Sequence, residues 1–290
     1  MNILVTGVSG FSGSFVSNYL SKKHNVFGIF RNENSIHLKK IIKNKDINFT
    51  KIDILEINES KLNKLDSIDV VVHIGSSSPM PEMKTYKLVY DNLFGLQNLI
   101  NWSVKKKCKK FIFYSSMSAF GNILTREVDE ETISVSPDVY GQTKLISEKI
   151  LEEEGKFQFI SLRLPGIVGP GSKRNWISSV RDKLLKNEKV NIFNKNSEFN
   201  NLVHIKDLAL FTENLFLQDF KHKFLVIGSK DKKRIKDIVE LIKKNTNSTS
   251  ELEFNRKGKK SFTLNSHLAR KFYGLETMTL DKSLSMLLER

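Results

Sequence analysis

The sequence predicts an α/β fold built on a parallel, doubly wound sheet. Three observations carry that expectation. Short β-rich runs alternate with helical segments over the first two-thirds of the chain. Several of those runs are almost continuously apolar, as strands covered on both faces must be. A glycine array stands where the first strand gives way to the first helix. With 290 residues, 39% of them hydrophobic, the chain can bury the core of one large α/β unit or of two smaller lobes.

Taken in order, "NILVTG" is the first strand and a helix follows over 12–23. "NVFGIF" is the second strand, 35–43 a helix, and "INFTKI" the third strand, with a helix expected around 56–65. "DVVVHIG" is the fourth strand, a long helix spans 85–106, and "KFIFYSS" is the fifth strand. The next helix has a marked start: Ser136 suits the cap, Pro137 the first helical position and Asp138 the positive end of the dipole. It ends near "EEEG", and "QFISLRL" is the sixth strand. Beyond "LPGIVGPGS" the alternation loosens into a helix over 176–186, strands "KVNIF" and "NLVHI", a helix over 206–217, "KFLVIG" and a helix over 235–245. A polar loop at 245–250 and two short helices close the chain.

Composition narrows the function classes. The net charge of +15 invites a nucleic-acid reading, but the lysines are spread along the chain. The local basic runs, 105–110 and 256–260, sit at element ends and in a loop, with no aromatic residues interleaved as on a base-stacking platform. They read as solvated surface, and no nucleic-acid partner is expected. No apolar run approaches the roughly 20 residues of a membrane helix, so no membrane insertion is expected. The opening "MNILVTGVSG" has no basic stretch ahead of its apolar residues, and no secretory leader is expected. Cys108, the single cysteine, has no internal disulfide partner, which fits a reducing cytoplasm.

In "TGVSGFSG", Gly7, Gly10 and Gly13 form a GxxGxxG array, with Ser9, Phe11 and Ser12 in the same loop. A tight turn, a close backbone approach to a pyrophosphate and a helix N-terminus aimed at that anion all ask for such glycines. A bare glycine pattern is weak, but one opening a βα series is much stronger. The second strand ends in "GIFRNEN", without the acidic residue that accepts ribose hydroxyls in NAD sites. Arg31 stands there instead, where a guanidinium can fork onto a 2′-phosphate, so NADP(H) is expected ahead of NAD. Asp53, ending the third strand beside Ile54, is the candidate adenine contact.

"TGVSGFSG", "FYSSMSAFG", "YGQTK", "RLPGIVGPG" and "LVHIKDLA" together resemble the extended short-chain dehydrogenase/reductase family, and within it the NAD-dependent epimerase/dehydratase group that acts on nucleotide sugars. The resemblance covers nearly the whole chain. It implies a Rossmann-type dinucleotide-binding domain with a seven-stranded sheet over 1–164, to which 203–226 returns, and a smaller C-terminal α/β substrate domain over 165–290. It also implies a Ser–Tyr–Lys active site made of Ser116, Tyr140 and Lys144. Tyr140 and Lys144 lie four apart on a helix and so share a face, where an ammonium group favours the phenolate. Ile74, Gly75, Ser76, Asn92 and Pro165 are then implied on the cofactor side with Tyr140 and Lys144. Ser77, Met117, Ser118, Gly166 and Asn200 are implied on the substrate side with Ser116. No metal site is expected. A homodimer is implied through the helices over 85–106 and 137–154, with Leu88, Leu93, Leu96, Ile146 and Ile150 as candidates for the seam.

Departures from the family pattern shape the expected chemistry. The dehydratases carry an Asp–Glu pair directly after the active-site hydroxyl, and here those positions are Met117 and Ser118, which disfavours water loss. Gly75 and Ser76 replace the alanines after His73, a histidine read as structural, as is His204. Asn200 stands where many members place a diphosphate-gripping arginine, leaving Lys173, Arg174, Arg181 and Lys195 as nearby cations. The leading expectation is an NADPH-dependent reductase of a nucleotide-linked 4-keto-6-deoxyhexose, serving sugar-nucleotide biosynthesis for surface polysaccharide. The alternatives are a nucleotide-sugar 4-epimerase with tightly held NAD, and a catalytically silent NADPH-binding regulator, against which the intact Ser116, Tyr140 and Lys144 set argues.

Overall fold

The structure, a computed structural model, describes residues 1–58, 62, 67–154, 156–255 and 260–288. Its main sheet consists of β1 (Asn2–Thr6), β2 (Asn25–Phe30), β3 (Ile47–Lys51), β4 (Val70–His73), β5 (Lys110–Ser116), β6 (Gln158–Leu164) and β7 (Phe224–Val226). The strands run parallel in the order β7-β6-β5-β4-β1-β2-β3, the seven-stranded doubly wound sheet that the sequence predicts. The order reverses at β1, which pairs with β2 on one side and β4 on the other. Crossovers therefore leave to opposite faces there, opening a crevice beyond the strand ends. Register levels those ends: Thr6 pairs with Ile29 and His73, and His73 with Phe113.

The helices include α1 (Phe11–Leu20), α2 (Ile36–Ile41), α3 (Thr85–Lys105), α4 (Val139–Glu154), α5 (Trp176–Leu185), α6 (Ile205–Asn214), α7 (Ile235–Asn245), α8 (His267–Tyr273) and α9 (Leu280–Ser285). Most of the helix expected around 56–65 lies outside the described residues, as do 256–259 of the second basic run; just ahead of it, Asp53 Oδ1 accepts from the Leu55 amide at 3.1 Å and caps a 3-10 turn at Ile54–Glu56. One expectation needs correcting: the start of α4 is later than Ser136. That residue adopts a φ of 45°, and Asp138 Oδ1 accepts from the Gly141 amide at 2.7 Å. A left-handed residue lies outside the usual cap geometry, so the carboxylate two positions on takes over.

Two compact units are present. The first comprises Met1–Gly121, Ser134–Arg163 and Thr212–Phe224; the second comprises Asn122–Ile133, Leu164–Phe211 and Leu225–Arg290. In the first, Leu4, Val71, Phe111 and Phe113 of the sheet pack with Leu96, Leu99, Ile100 and Trp102 of α3. Burying each such large side chain stabilises the fold by roughly 1.5–3 kcal/mol. This core claims part of the expected dimer seam. Leu88 and Leu96 are buried and Leu93 and Ile150 half-buried, whereas the exposed apolar side chains of α3 and α4 include Tyr86, Tyr90, Phe94 and Ile146. In the second unit, α5, α7 and α9 supply Ile177, Leu184, Ile238, Ile242 and Leu284 to a separate core.

Close backbone approaches discriminate among glycines. A Cβ at Gly13 would lie 2.1 Å from the Gly7 carbonyl oxygen, a rigid backbone atom, whereas one at Gly95 would meet the mobile Cδ1 tip of Ile54 at 2.6 Å. Gly13→Ala should therefore destabilise the protein by about 1–3 kcal/mol or more, while Gly95→Ala is absorbed by a rotamer change of Ile54. Chemical denaturation of both variants checks this, and equal losses would contradict it.

Candidate functional site

The glycine loop after β1 is pinned from several sides. The amides of Gly7 and Val8 donate to the Ile29 carbonyl at 3.1 and 3.3 Å, and the Gly10 amide donates to the Gly7 carbonyl at 2.9 Å. Gly7 has a φ of +71°, and a Cβ there would meet Gly75 Cα at 2.6 Å, so the loop rests directly on the chain leaving β4. The Ser9 carbonyl accepts from Ser35 Oγ at 2.5 Å, and the Phe11 ring meets His37 edge-on at 5.8 Å. Ser12 is half-buried. Helix α1 begins after Gly10 with no side-chain cap and no acid in its first turn. Its bare amides and positive dipole end form a donor set suited to a phosphate, and Gly13 lets α1 pack directly on the Gly7 carbonyl behind them.

The chain leaving β4 is organised by buried hydroxyl and amide groups. Thr6 Oγ1 accepts from the Ile74 and Gly75 amides at 3.1 and 2.9 Å and lies 2.8 Å from His73 Nδ1. With both lone pairs engaged, the hydroxyl gives its proton to Nδ1, which places the ring proton of His73 on Nε2. Burial holds His73 at a pKa of about 3, with Lys144 adding to the effect, so the ring is neutral. Asn92 on α3 closes the segment. Its Oδ1 accepts from Ser76 Oγ at 3.1 Å and the Ser77 amide at 2.8 Å, and its Nδ2 donates to the Ser77 carbonyl at 3.1 Å and Thr143 Oγ1 at 3.2 Å.

Strand β5 and helix α4 bring the serine, tyrosine and lysine elements together. Ser116 ends the strand, and its Oγ accepts from the Ser118 amide at 3.1 Å, capping the 3-10 turn Met117–Phe120. Ser115 points elsewhere: its buried hydroxyl has no partner among the described residues. A Cβ at Gly141 would lie 2.1 Å from the Ser118 carbonyl oxygen, so the residue after Tyr140 must be glycine for α4 to seat against this turn. Lys144 is buried, donates to the Tyr114 carbonyl at 2.9 Å, and stands 4.6 Å over the Phe113 ring and 5.6 Å over the Tyr140 ring. Desolvation lowers its pKa to about 7 against the opposing pull of Glu148. Burial raises the Tyr140 phenol, with Ser76 in hydrogen-bonding reach pulling the other way. In this state the phenol keeps its proton, since burial, with the Asp138 carboxylate adding to it, outweighs the Ser76 hydrogen bond.

Arg31 is not free. Its NH1 donates to Asp91 Oδ2 at 3.1 Å and Asp53 Oδ2 at 3.4 Å, and its NH2 reaches Ser77 Oγ at 3.5 Å. Asp91 is buried and also accepts from Ser77 Oγ at 2.8 Å and Lys87 Nζ at 3.0 Å. Desolvation favours its neutral form, but these donors together hold its carboxyl below the usual range. Asp91 escaped notice in the sequence. Its signal is positional: it falls on the stripe of Leu88, Asn92 and Leu96 that α3 buries, so its charge requires partners.

Pro165, Gly166 and Asn200 belong to the second unit. Gly166 pairs with Leu202. Asn200 is buried, donating to the Ser229 and Leu264 carbonyls at 3.1 and 2.8 Å and accepting from the Leu264 amide at 2.7 Å, so both amide hydrogens are committed to backbone. His204 Nδ1 accepts from the Lys206 amide at 3.2 Å, and its Nε2 is buried without a partner among the described residues. Burial, with Lys206 nearby, takes its pKa down to about 4. Arg181 donates to Asp182 and to the Ser172 carbonyl, Lys195 stands over Phe254, and Lys173 is exposed. A cavity of about 500 Å³ in this unit is lined by residues including Trp176, Phe193, Phe199, Phe262 and Lys260. Among the described residues no cluster of His, Cys, Asp and Glu could hold a metal, and no helix is long and apolar enough to cross a membrane.

Residues 3–221 match the NAD dependent epimerase/dehydratase family. The chain belongs to this family. Relatives include UDP-glucose 4-epimerase of Caenorhabditis elegans, 32% identical over 54% of this chain and 50% of that one. Another is dTDP-D-glucose 4,6-dehydratase of Dictyostelium discoideum, 26% identical over 71% of this chain and 53% of that one. The chain spans about half the length of these two relatives. Among solved structures, UDP-glucuronic acid 4-epimerase of Bacillus cereus in complex with NAD superposes with a TM-score of 0.86 at 24% identity, covering 99% of this chain and 95% of that one. At that identity the likeness speaks to the family's fold.

Lys144 carries a pH signature. Its folded pKa, about 7, lies below the ordinary 10.5, so the fold binds fewer protons than the unfolded chain between those values. The destabilisation is complete below about pH 7 and fades as pH rises toward 10.5. Lys144→Met removes the burden. Thermal melts should show the variant's advantage over wild type greatest near neutral and lower pH, closing in the alkaline range. Parallel pH profiles for the two proteins would refute the assignment.

Proposed function

We propose that this protein is a nucleotide-sugar 4-epimerase that retains NAD through its catalytic cycle. The observation that carries this reading over an NADPH-dependent reductase is the pairing of Arg31 with Asp91 and Asp53. A guanidinium already facing two carboxylates is poorly placed to recruit a 2′-phosphate, which removes the main support for NADP. Epimerases among the relatives support the same choice, and Met117 and Ser118, which cannot act as an acid–base pair, speak against dehydration.

Gly7, Ser9, Gly10, Phe11, Ser12 and Gly13 would hold the pyrophosphate, Asp53 and Ile54 the adenine, and Ile74, Gly75 and Ser76 the nicotinamide half. Asn92 serves as a clamp for the backbone leaving β4, accepting from the Ser77 amide and donating to the Ser77 carbonyl. A nicotinamide held there would supply hydride acceptance and return at C4 and a positive charge beside Tyr140 that would favour its phenolate. Tyr140 takes the proton of the sugar 4-hydroxyl and later gives it back. Ser116 holds the same oxygen by hydrogen bonding. Lys144, anchored on the Tyr114 carbonyl, keeps a positive group near the phenol and the ribose. Ser77, Met117 and Ser118 would border the sugar.

Tyr140→Phe should lower kcat by about 10²–10⁴ while leaving dinucleotide affinity nearly intact, because it deletes the acid–base group and keeps the ring. Ser116→Ala should cost roughly ten- to a hundredfold, the loss of one hydrogen bond to a charging oxygen. Ser118→Ala should be near neutral. The assay follows UDP-hexose interconversion at C4 without net change at the nicotinamide band. Stoichiometric NADPH consumption with a keto-sugar would instead identify a reductase, and an active Tyr140→Phe would remove the mechanism.

We further propose a homodimer through α3 and α4, with exposed Tyr86, Tyr90 and Phe94 and with Ile146 forming the seam in place of Leu88 and Leu96. Tyr90 and Phe94 already stack at 4.7 Å. Sedimentation should show a dimer that Phe94→Asp converts to monomer; a wild type that stays monomeric at all concentrations defeats the proposal.

A further inference from the structure

One group in the first unit has a role that the reaction itself does not require. Asp91 is a charged carboxylate, 4% exposed, in the middle of the apolar stripe of α3, sixty positions from the arginine it holds. Four groups surround it in a nearly neutral cluster: Arg31 and Lys87 donate to it, Ser77 donates to it, and Asp53 shares the Arg31 NH1 group. Burying a carboxylate is costly unless it is paired, so Asp91 cannot easily surrender its donors. Arg31, by contrast, is half-exposed immediately after the last residue of β2. One partner is fixed by burial and the other could turn outward, so the buried one decides where the guanidinium points.

We propose that Asp91 is a specificity-determining residue that sets dinucleotide choice by drawing the Arg31 guanidinium down onto α3, out of reach of a 2′-phosphate. This deepens the epimerase reading and rests on it, because it requires that the first unit hold a nicotinamide dinucleotide. The chemistry is one of competition. A 2′-phosphate brings about two negative charges and three acceptor oxygens and is held best by a forked, unengaged guanidinium. At this strand end it would find a guanidinium committed to two carboxylates, and it would also be repelled by them. A ribose 2′-hydroxyl carries no charge and meets no such opposition. Removing the charge at position 91 while keeping its shape frees the Arg31 guanidinium from its buried partner, so that a 2′-phosphate can recruit it.

The test is equilibrium binding of NADH and NADPH, read by nicotinamide fluorescence, to wild type, Asp91→Asn, Arg31→Ala and the double variant. Wild type should bind NADH about tenfold or more tightly than NADPH. Asp91→Asn should tighten NADPH by about tenfold, with NADH changing by less than about threefold, and the gain should vanish when Arg31→Ala is added. An unchanged NADPH-to-NADH ratio in folded Asp91→Asn, or a wild type that prefers NADPH, overturns the clamp while leaving the dinucleotide site in place. If Asp91→Asn fails to fold, Arg31→Ala alone decides. The clamp expects its NADPH affinity to stay within about threefold of wild type, and a selective loss of about tenfold overturns it. A wild type that binds neither dinucleotide overturns the functional reading itself, and the clamp with it.

Discussion

The hydroxyl of Thr6 is the joint on which the first unit's loop region depends. It sits at the end of β1, fully buried, and saturates itself by accepting the Ile74 and Gly75 amides and donating to His73. That single oxygen brings the chain leaving β4 against the glycine loop leaving β1, closely enough that Gly7 and Gly75 leave no room for a Cβ on Gly7. The next residues, Ser76 and Ser77, are then within reach of Asn92, which also donates to Thr143, whose own hydroxyl donates to the Tyr140 carbonyl. A path of buried and partly buried hydrogen bonds, joined by the backbone between Gly75 and Ser76, thus runs from the first strand to the tyrosine of α4. Buried polar chains of this kind hold a geometry firmly because each lost partner leaves an unsatisfied group in a low-dielectric interior.

Much of the fold was legible because it rests on local rules. Strands β2, β5 and β6 have the same bounds in the structure as in the apolar runs "NVFGIF", "KFIFYSS" and "QFISLRL". Apolar runs of that length between polar residues have few other ways to bury themselves. The start of α4 was less legible. "SVSPDV" offers two capping residues, and the choice between Ser136 and Asp138 turns on a backbone φ that no local pattern displays. The candidates for a dimer seam divide for a related reason. Leu88 and Leu96 fall on the stripe that α3 buries, Leu96 in the core beneath the sheet, whereas the amphipathic Tyr86 and Tyr90 stay outside.

The candidate site divides in the same way. Gly7, Gly10 and Gly13 could be picked out because their spacing after the first strand is itself the signal, and Ser116, Tyr140 and Lys144 because the family resemblance implies them; the structure brings β5 and α4 together around Gly141 and Ser118. Arg31 and Asn200 could be located but not interpreted, since each takes its meaning from partners distant in sequence. Arg31 meets Asp53 and Asp91, and Asn200 meets Ser229 and Leu264. A strand-end arginine read alone suggests a phosphate; read with two carboxylates it suggests an arginine already satisfied. Long-range ion pairs are what a single sequence hides most completely.

Burial then governs the proton economy around Tyr140. Desolvation moves the two groups toward neutrality from opposite sides, raising the phenol and lowering Lys144 to about pH 7. In such surroundings the uncharged phenol is the resting state, because a phenolate alone would be a buried charge without full compensation. Glu148 does not alter this balance much from below. It is held by Arg163 through contacts of 2.8 to 3.3 Å and by Ser161 at 2.9 Å, so most of its field is met by that pair. The site is therefore poised: any added positive charge beside the phenol stabilises the phenolate more strongly here than it would in water, since the same low dielectric that penalises an isolated charge magnifies its attraction to a partner.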